Sequence, residues 1–111
     1  MGGFITYSAA MKIDLGVPPD TIEHHGVISQ ETAKAMAEAC KNRTGADFSM
    51  AITGHLEKQE TETYAWIAVC SRHHQEEFKV KAFYDREKNA VFYSNTALYI
   101  LHRFILMHLT A

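Results

Sequence analysis

Residues 29–53 read SQETAKAMAEACKNRTGADFSMAIT, and the order of elements in this stretch decides the fold. Ser29 is an N-cap candidate, with Glu31 and Thr32 in the first turn; the acidic residue falls one position short of a capping box, so the cap stands alone. Ala33, Met36, Ala37 and Cys40 recur at spacings of three and four, the period of an amphipathic helix. Lys34, Glu38, Lys41 and Asn42 fall elsewhere, and alanines at 33, 35, 37 and 39 let one side of the helix approach a sheet closely. Gly45 ends it. The segment DFSMAIT then reads as a strand small or apolar on both faces, as in a central strand covered on both sides.

Working outward, Gly3 to Tyr7 reads as an earlier strand, because Ile5, Thr6 and Tyr7 favour extended backbone. Ala9 to Asp14 follows as a short helix that carries Lys12, just past that strand's carboxyl end, where open α/β sheets place their ligands. Leu15-Gly16-Val17-Pro18-Pro19 stops it. Asp20 is positioned to cap a further turn that closes at Gly26, a candidate left-handed C′ residue. After DFSMAIT, residues 55–61 are polar and form a loop. TYAWIAVCS is a buried strand, RHHQ a turn, and EEFKVKAFY an alternating strand. In that strand Phe78, Val80, Ala82 and Tyr84 face one way, while Lys79, Lys81 and Phe83 face the other, so it reads as a half-solvated edge. The short connection makes an antiparallel hairpin.

Asp85 caps a final helix from Arg86 to about Leu109. One face carries Val91, Leu98, Ile105 and Leu109, interrupted by Asn95 and His102; a second carries Phe92, Tyr99 and Leu106, with Tyr93 and Ile100 beside them. A helix apolar on two faces is either sandwiched or sits at a subunit contact. The chain has few elements left to cover the second face, so self-association into a homo-oligomer is expected. The whole predicts a single domain over residues 1–111: a three-layer α/β sandwich with a mixed sheet. Its first two strands would be parallel, joined by a right-handed crossover, and the hairpin antiparallel.

Composition narrows the function. A formal charge of −2 offers no basic face for nucleic acid. The most apolar stretch, Ala97 to Leu109, includes His102, Arg103 and His108 and falls short of the roughly 20 residues of a membrane span. The first residues lack the charged start and apolar core of a signal peptide. A cytoplasmic protein is therefore expected, with Cys40 and Cys70 as free thiols. His24-His25 and His73-His74 are adjacent pairs whose side chains diverge, so neither is a chelate by itself, and no metal site is expected.

The segment GGFITYSAAMKIDLGVPPDTIEHHGVISQETAKAMAEA, residues 2–39, resembles the C-terminal domain of the CinA family of competence- and damage-inducible proteins. The family pattern is a Gly-Gly pair, a strand ending Tyr-Ser-Asn, a lysine four residues after the serine, Leu-Gly-Val-Pro, then His-Gly-Ala-Val-Ser and a helix with Ala-Met-Ala. Here these are Gly2-Gly3, Tyr7-Ser8, Lys12, Leu15 to Pro18, His25 to Ser29 and Ala35 to Ala37. Thr53-Gly54, YAWIAV and Asp85-Arg86 are similar to later family segments.

The resemblance implies hydrolysis of the carboxamide of nicotinamide mononucleotide, giving nicotinate mononucleotide and ammonia without a cofactor. It makes Lys12 the activating base, if burial lowers its pKa. It places Tyr7 and Thr53 in the catalytic pocket, assigns Ser8 and Gly54 to substrate binding, and offers Arg86 as a bidentate phosphate contact. It also implies departures. The family's nucleophilic serine, in Glu-Ser-Cys-Thr-Gly-Gly, falls before Met1, so a domain lacking the first strand and helix is expected. The glycine- and proline-rich loop after Thr-Gly is replaced by HLEKQETET, whose Glu57, Glu60 and Glu62 would repel a phosphate. Ala9 stands where the family has Asn. The expectation is a catalytically degenerate member that works by self-association or partner binding.

Overall fold

A computed structural model describes residues 9–109. In chain order the elements are α1 (Ala9–Leu15), α2 (Pro19–His25), α3 (Gln30–Thr44), β1 (Phe48–Gly54), β2 (Tyr64–Ser71), β3 (Gln75–Lys81) and α4 (Arg86–His108). The expected strand Gly3 to Tyr7, with Tyr7 and Ser8, lies outside the described residues.

The described sheet is antiparallel throughout, in the order β1-β2-β3, so β2 is its middle strand. The parallel pair expected of β1 and the segment before α1 is not part of it. Alternation in β1 sorts the layers. Ser49, Ala51 and Thr53 are buried on the α3 side, where the Ser49 hydroxyl donates to the Ala37 carbonyl at 2.7 Å. Phe48 points the other way and meets Phe104 of α4 edge-on, with ring centroids 6.2 Å apart. Helices therefore cover both faces. The α3 layer packs Ala33, Met36 and Ala37 onto Ala51, Ala68 and Cys70; the α4 layer packs Tyr93 onto Ala65 and Ala82. The alanines of α3 permit the close approach that the sequence suggests.

Local signals set most boundaries. Ser29 caps α3: its Oγ accepts from the Thr32 N–H at 3.1 Å and its hydroxyl donates to the Gly26 carbonyl at 2.9 Å. Ser29→Ala is expected to lower the unfolding free energy by about 1 kcal/mol in urea titration, with Ser29→Asp retaining most of it. Gly45 closes α3 with φ +68° and ψ 16°, the left-handed conformation that glycine adopts without steric cost. Asp85 caps α4 by accepting from the Lys88 N–H at 2.9 Å.

Two expectations differ from the structure. Helix α2 starts at Pro19, without a side-chain cap from Asp20, because proline at the first position is pre-set for the helix and brings no orphan N–H. Gly26 does take a positive φ of +89°, but with ψ 163° it is extended rather than left-handed helical, a region open to glycine alone. Its carbonyl receives both the Ser29 hydroxyl and the Thr32 hydroxyl, the latter at 2.6 Å.

The face of α4 that packs on the sheet is neither of the two stripes as read from sequence. Asn89, Tyr93, Ala97 and Phe104 are buried, whereas Val91, Leu98, Tyr99, Leu106 and Leu109 are exposed. No helix among the described residues is long and apolar enough to cross a membrane. Both cysteines are free thiols, each pushed above its ordinary pKa by burial.

Candidate functional site

Thr53 and Gly54 close strand β1, and the segment between them and β2 turns back over the first turns of α4. Thr53 is buried, and its hydroxyl donates to the Val27 carbonyl at 2.7 Å. It thus ties the strand end to the turn that Gly26 opens between α2 and α3. Gly54 has a packing role that sequence reasoning missed: a Cβ there would lie 2.3 Å from the Cβ of Ala65, its partner across the ladder.

The loop after Gly54 is held from both sides. The Tyr93 hydroxyl donates to the His55 carbonyl at 2.9 Å, and the Asn89 amide donates to the Leu56 carbonyl at 2.7 Å. Glu57 pairs with Arg86 at 3.3 Å. The Thr63 hydroxyl accepts from the Gln59 N–H at 2.8 Å. Glu62 lies against Lys79 and Lys81, which hold its carboxyl below the usual range. The two lysines of the alternating strand are therefore paired to this loop, and Lys79 also sits 4.4 Å from the centre of the Tyr64 ring.

The structure thus brings Thr53, Gly54 and Arg86 to one end of the domain. There, the phosphate contact expected of Arg86 meets a competitor: its guanidinium already faces a carboxylate. Both partners are well exposed, so the pair itself adds little stability. Lys12 belongs to a different element, α1, which Arg43 fastens to α3 by donating to the Asp14 carbonyl at 3.0 Å. Lys12 is only 5% exposed, and burial lowers its ammonium below the ordinary lysine value, since removal from water disfavours the charged form. That is the direction a lysine base requires. Tyr7 and Ser8 lie outside the described residues, so the remainder of the expected pocket is not described.

Sequence reasoning missed Asn89, which is fully buried and joins the loop to the start of α4. The signal was available, because asparagine is a poor helix former and tends to be kept in a helix for its hydrogen bonds. His108 is mostly enclosed, with its ring stacked on His74 at 3.9 Å and against Phe104 at 4.6 Å.

A small α/β domain results, with a helix on each face of an antiparallel sheet and a Thr-Gly strand end fastened to a His-Gly turn. The chain belongs to the CinA C-terminal domain family, whose model matches residues 1–105. It is 34% identical over 110 residues to a CinA-like protein of Leptospira biflexa, covering 93% of this chain and 26% of that protein. A CinA-like protein of Chlorobaculum tepidum is 51% identical over 53 residues, 47% of this chain and 12% of that protein. The chain thus spans about a quarter or less of these relatives. Among solved structures, a competence-damaged protein (CinA) superfamily protein from Klebsiella pneumoniae 700603 superposes with a TM-score of 0.84. It is 26% identical, covering 93% of this chain and 68% of that one. The competence/damage inducible protein CihA from Agrobacterium tumefaciens superposes at 0.79, with 27% identity over 91% of this chain and 66% of that one.

Proposed function

We propose that this chain is a CinA-type module that works by association, in a cytoplasmic setting, and no longer turns over nicotinamide mononucleotide. The observation that carries this reading is the Arg86–Glu57 pair, formed in the loop that stands in place of a glycine-rich lid. A phosphate approaching Arg86 meets the repulsion of a carboxylate carried on the same loop. That loop is also held by Asn89 and Tyr93, which limits its freedom to close over a substrate. The hydroxyl of Thr53 is committed to a carbonyl and is not free to donate elsewhere.

A second reading, a working amidase, has one observation in its favour: the buried Lys12 with its lowered pKa. Hydrolysis of the amide would consume one water and release one ammonia, with Lys12 accepting a proton from the attacking group. Ammonia release from nicotinamide mononucleotide by the purified chain separates the two. The expected result is no release above background for the chain and for Lys12→Ala alike. Turnover that Lys12→Ala abolishes would overturn the proposal. Glu57→Gln probes the same point in the other direction: freeing Arg86 is expected to strengthen any mononucleotide binding seen by calorimetry severalfold.

A further inference from the structure

The outward face of α4 carries a second pattern, independent of the site. Val91, Leu98 and Ile105 recur every seventh residue, as do Asn95, His102 and Leu109, and the two series are offset by four. These are the d and a positions of a heptad repeat, and Phe92, Tyr99 and Leu106 fall at e beside them. Among the described residues the domain's own fold leaves most of this face open, with Phe92 and Ile105 half-buried at its margin. Val91, Leu98 and Leu109 are 60%, 58% and 64% exposed, while Asn89, Tyr93, Ala97 and Phe104 hold the opposite side of the helix to the sheet.

We infer that this face pairs with α4 of a second copy of the chain, parallel and in register, as a two-helix seam. The inference rests on the reading that the chain works by association and supplies the partner. The argument for a second copy is the matching of layers. In a parallel, in-register pair every a or d residue meets its own counterpart. Asn95 then meets Asn95 and His102 meets His102, while Val91, Leu98, Ile105 and Leu109 form apolar layers. An antiparallel pair sets a against d, so Asn95 and His102 would be pressed against Ile105 and Leu98, leaving an amide and an imidazole without polar partners. Polar residues at a positions act in coiled coils to select register and partner number at some cost in affinity.

Charge agrees. From Asn89 to Leu109 the only Lys, Arg, Asp or Glu is Arg103. It stands off the seam at a b position, with its guanidinium donating to the Tyr99 hydroxyl at 3.1 Å. No like charges oppose one another along the pairing surface beyond Lys88 in the first turn of α4. From Val91 to Leu109 the seam runs about 27 Å at 1.5 Å per residue. That is short for free helices, but α4 is already folded onto its sheet, so pairing does not bear the cost of ordering it.

Sedimentation equilibrium of the whole chain, with Leu98→Glu beside it, tests the surface. The expected result is a dimer whose dissociation constant rises about 100-fold in Leu98→Glu, because a carboxylate would be buried in an apolar layer. Leu98 is exposed, so circular dichroism of the variant should match the parent. Orientation is read by mixing Asn95→Cys and Ile105→Cys chains, both with Cys40→Ala and Cys70→Ala, under mild oxidation. Parallel pairing gives 95–95 and 105–105 disulfides, whereas antiparallel pairing gives 95–105. His102→Leu is expected to tighten the dimer and to scramble the two classes of disulfide. A monomer at all concentrations, a dimer indifferent to Leu98→Glu, or predominant 95–105 disulfides would each overturn the inference. A dimer indifferent to Leu98→Glu, or one cross-linked 95–105, sinks the seam and leaves the association reading standing, whereas a monomer at all concentrations removes self-association as well.

Discussion

Asn89→Ala is expected to lower the unfolding free energy by about 3–5 kcal/mol, the largest effect of any single substitution considered for this chain. The side chain is fully buried and makes three hydrogen bonds. Its amide donates to the carbonyls of Leu56 at 2.7 Å and Tyr84 at 2.9 Å, and its Oδ1 accepts from the Tyr84 N–H at 3.0 Å. Each such bond contributes about 1 kcal/mol net, and deleting one partner leaves the other buried groups unsatisfied, which costs more. Truncation also opens a small void at a fully buried position. Urea unfolding followed by circular dichroism measures the total. Hydrogen exchange localises it: the Tyr84 amide and the segment around Leu56 should lose protection before the centre of β2 does. A loss below 1 kcal/mol would show that water replaces the amide and that the loop is not held through it.

Gly54→Ala should lose about 2–3 kcal/mol, the typical cost of forcing extra volume into a packed site. The new Cβ would stand 2.3 Å from the Ala65 Cβ, 2.6 Å from its Cα and 2.9 Å from the Tyr64 carbonyl oxygen. Two of these three atoms are backbone, so a side-chain rotation cannot relieve the clash; β1 must separate from β2 where they pair. Adding Ala65→Gly removes one of the three contacts, and the double variant is expected to recover only part of the loss. A Gly54→Ala chain as stable as its parent would show that the strand end yields freely. Gly54 is thus explained by strand packing before any contact with a substrate is considered.

Most of the fold was legible because its signals are local. Ser29 and Gly45 bound α3 through backbone groups within a few residues, and Asp85 does the same for α4. The alternation of β3 is visible because one of its faces meets α4 while the other carries Lys79 and Lys81. The candidate site was less legible. Thr53 reads as the end of a strand, but its acceptor, the Val27 carbonyl, lies 26 residues away in sequence. Arg86 reads as an anion contact because it carries charge at a helix start, and only the folded loop reveals that Glu57 occupies it. The role of Asn89 depends on the Leu56 carbonyl, which lies 33 residues away in sequence and is brought to it only by the folded loop.

From its sequence alone, the order of the described elements could be read, since caps, breakers and side-chain periods act over one or two turns of backbone, and the segment 2–39 carried the family resemblance. Tertiary structure decided which stripe of α4 is buried. That helix offers apolar side chains around much of its circumference, and period alone does not choose among them. The choice falls to shape: Tyr93 packs on Ala65 and Ala82, Phe104 meets Phe48, and Asn89 finds its backbone partners in Leu56 and Tyr84, so Val91 and Leu98 stay exposed.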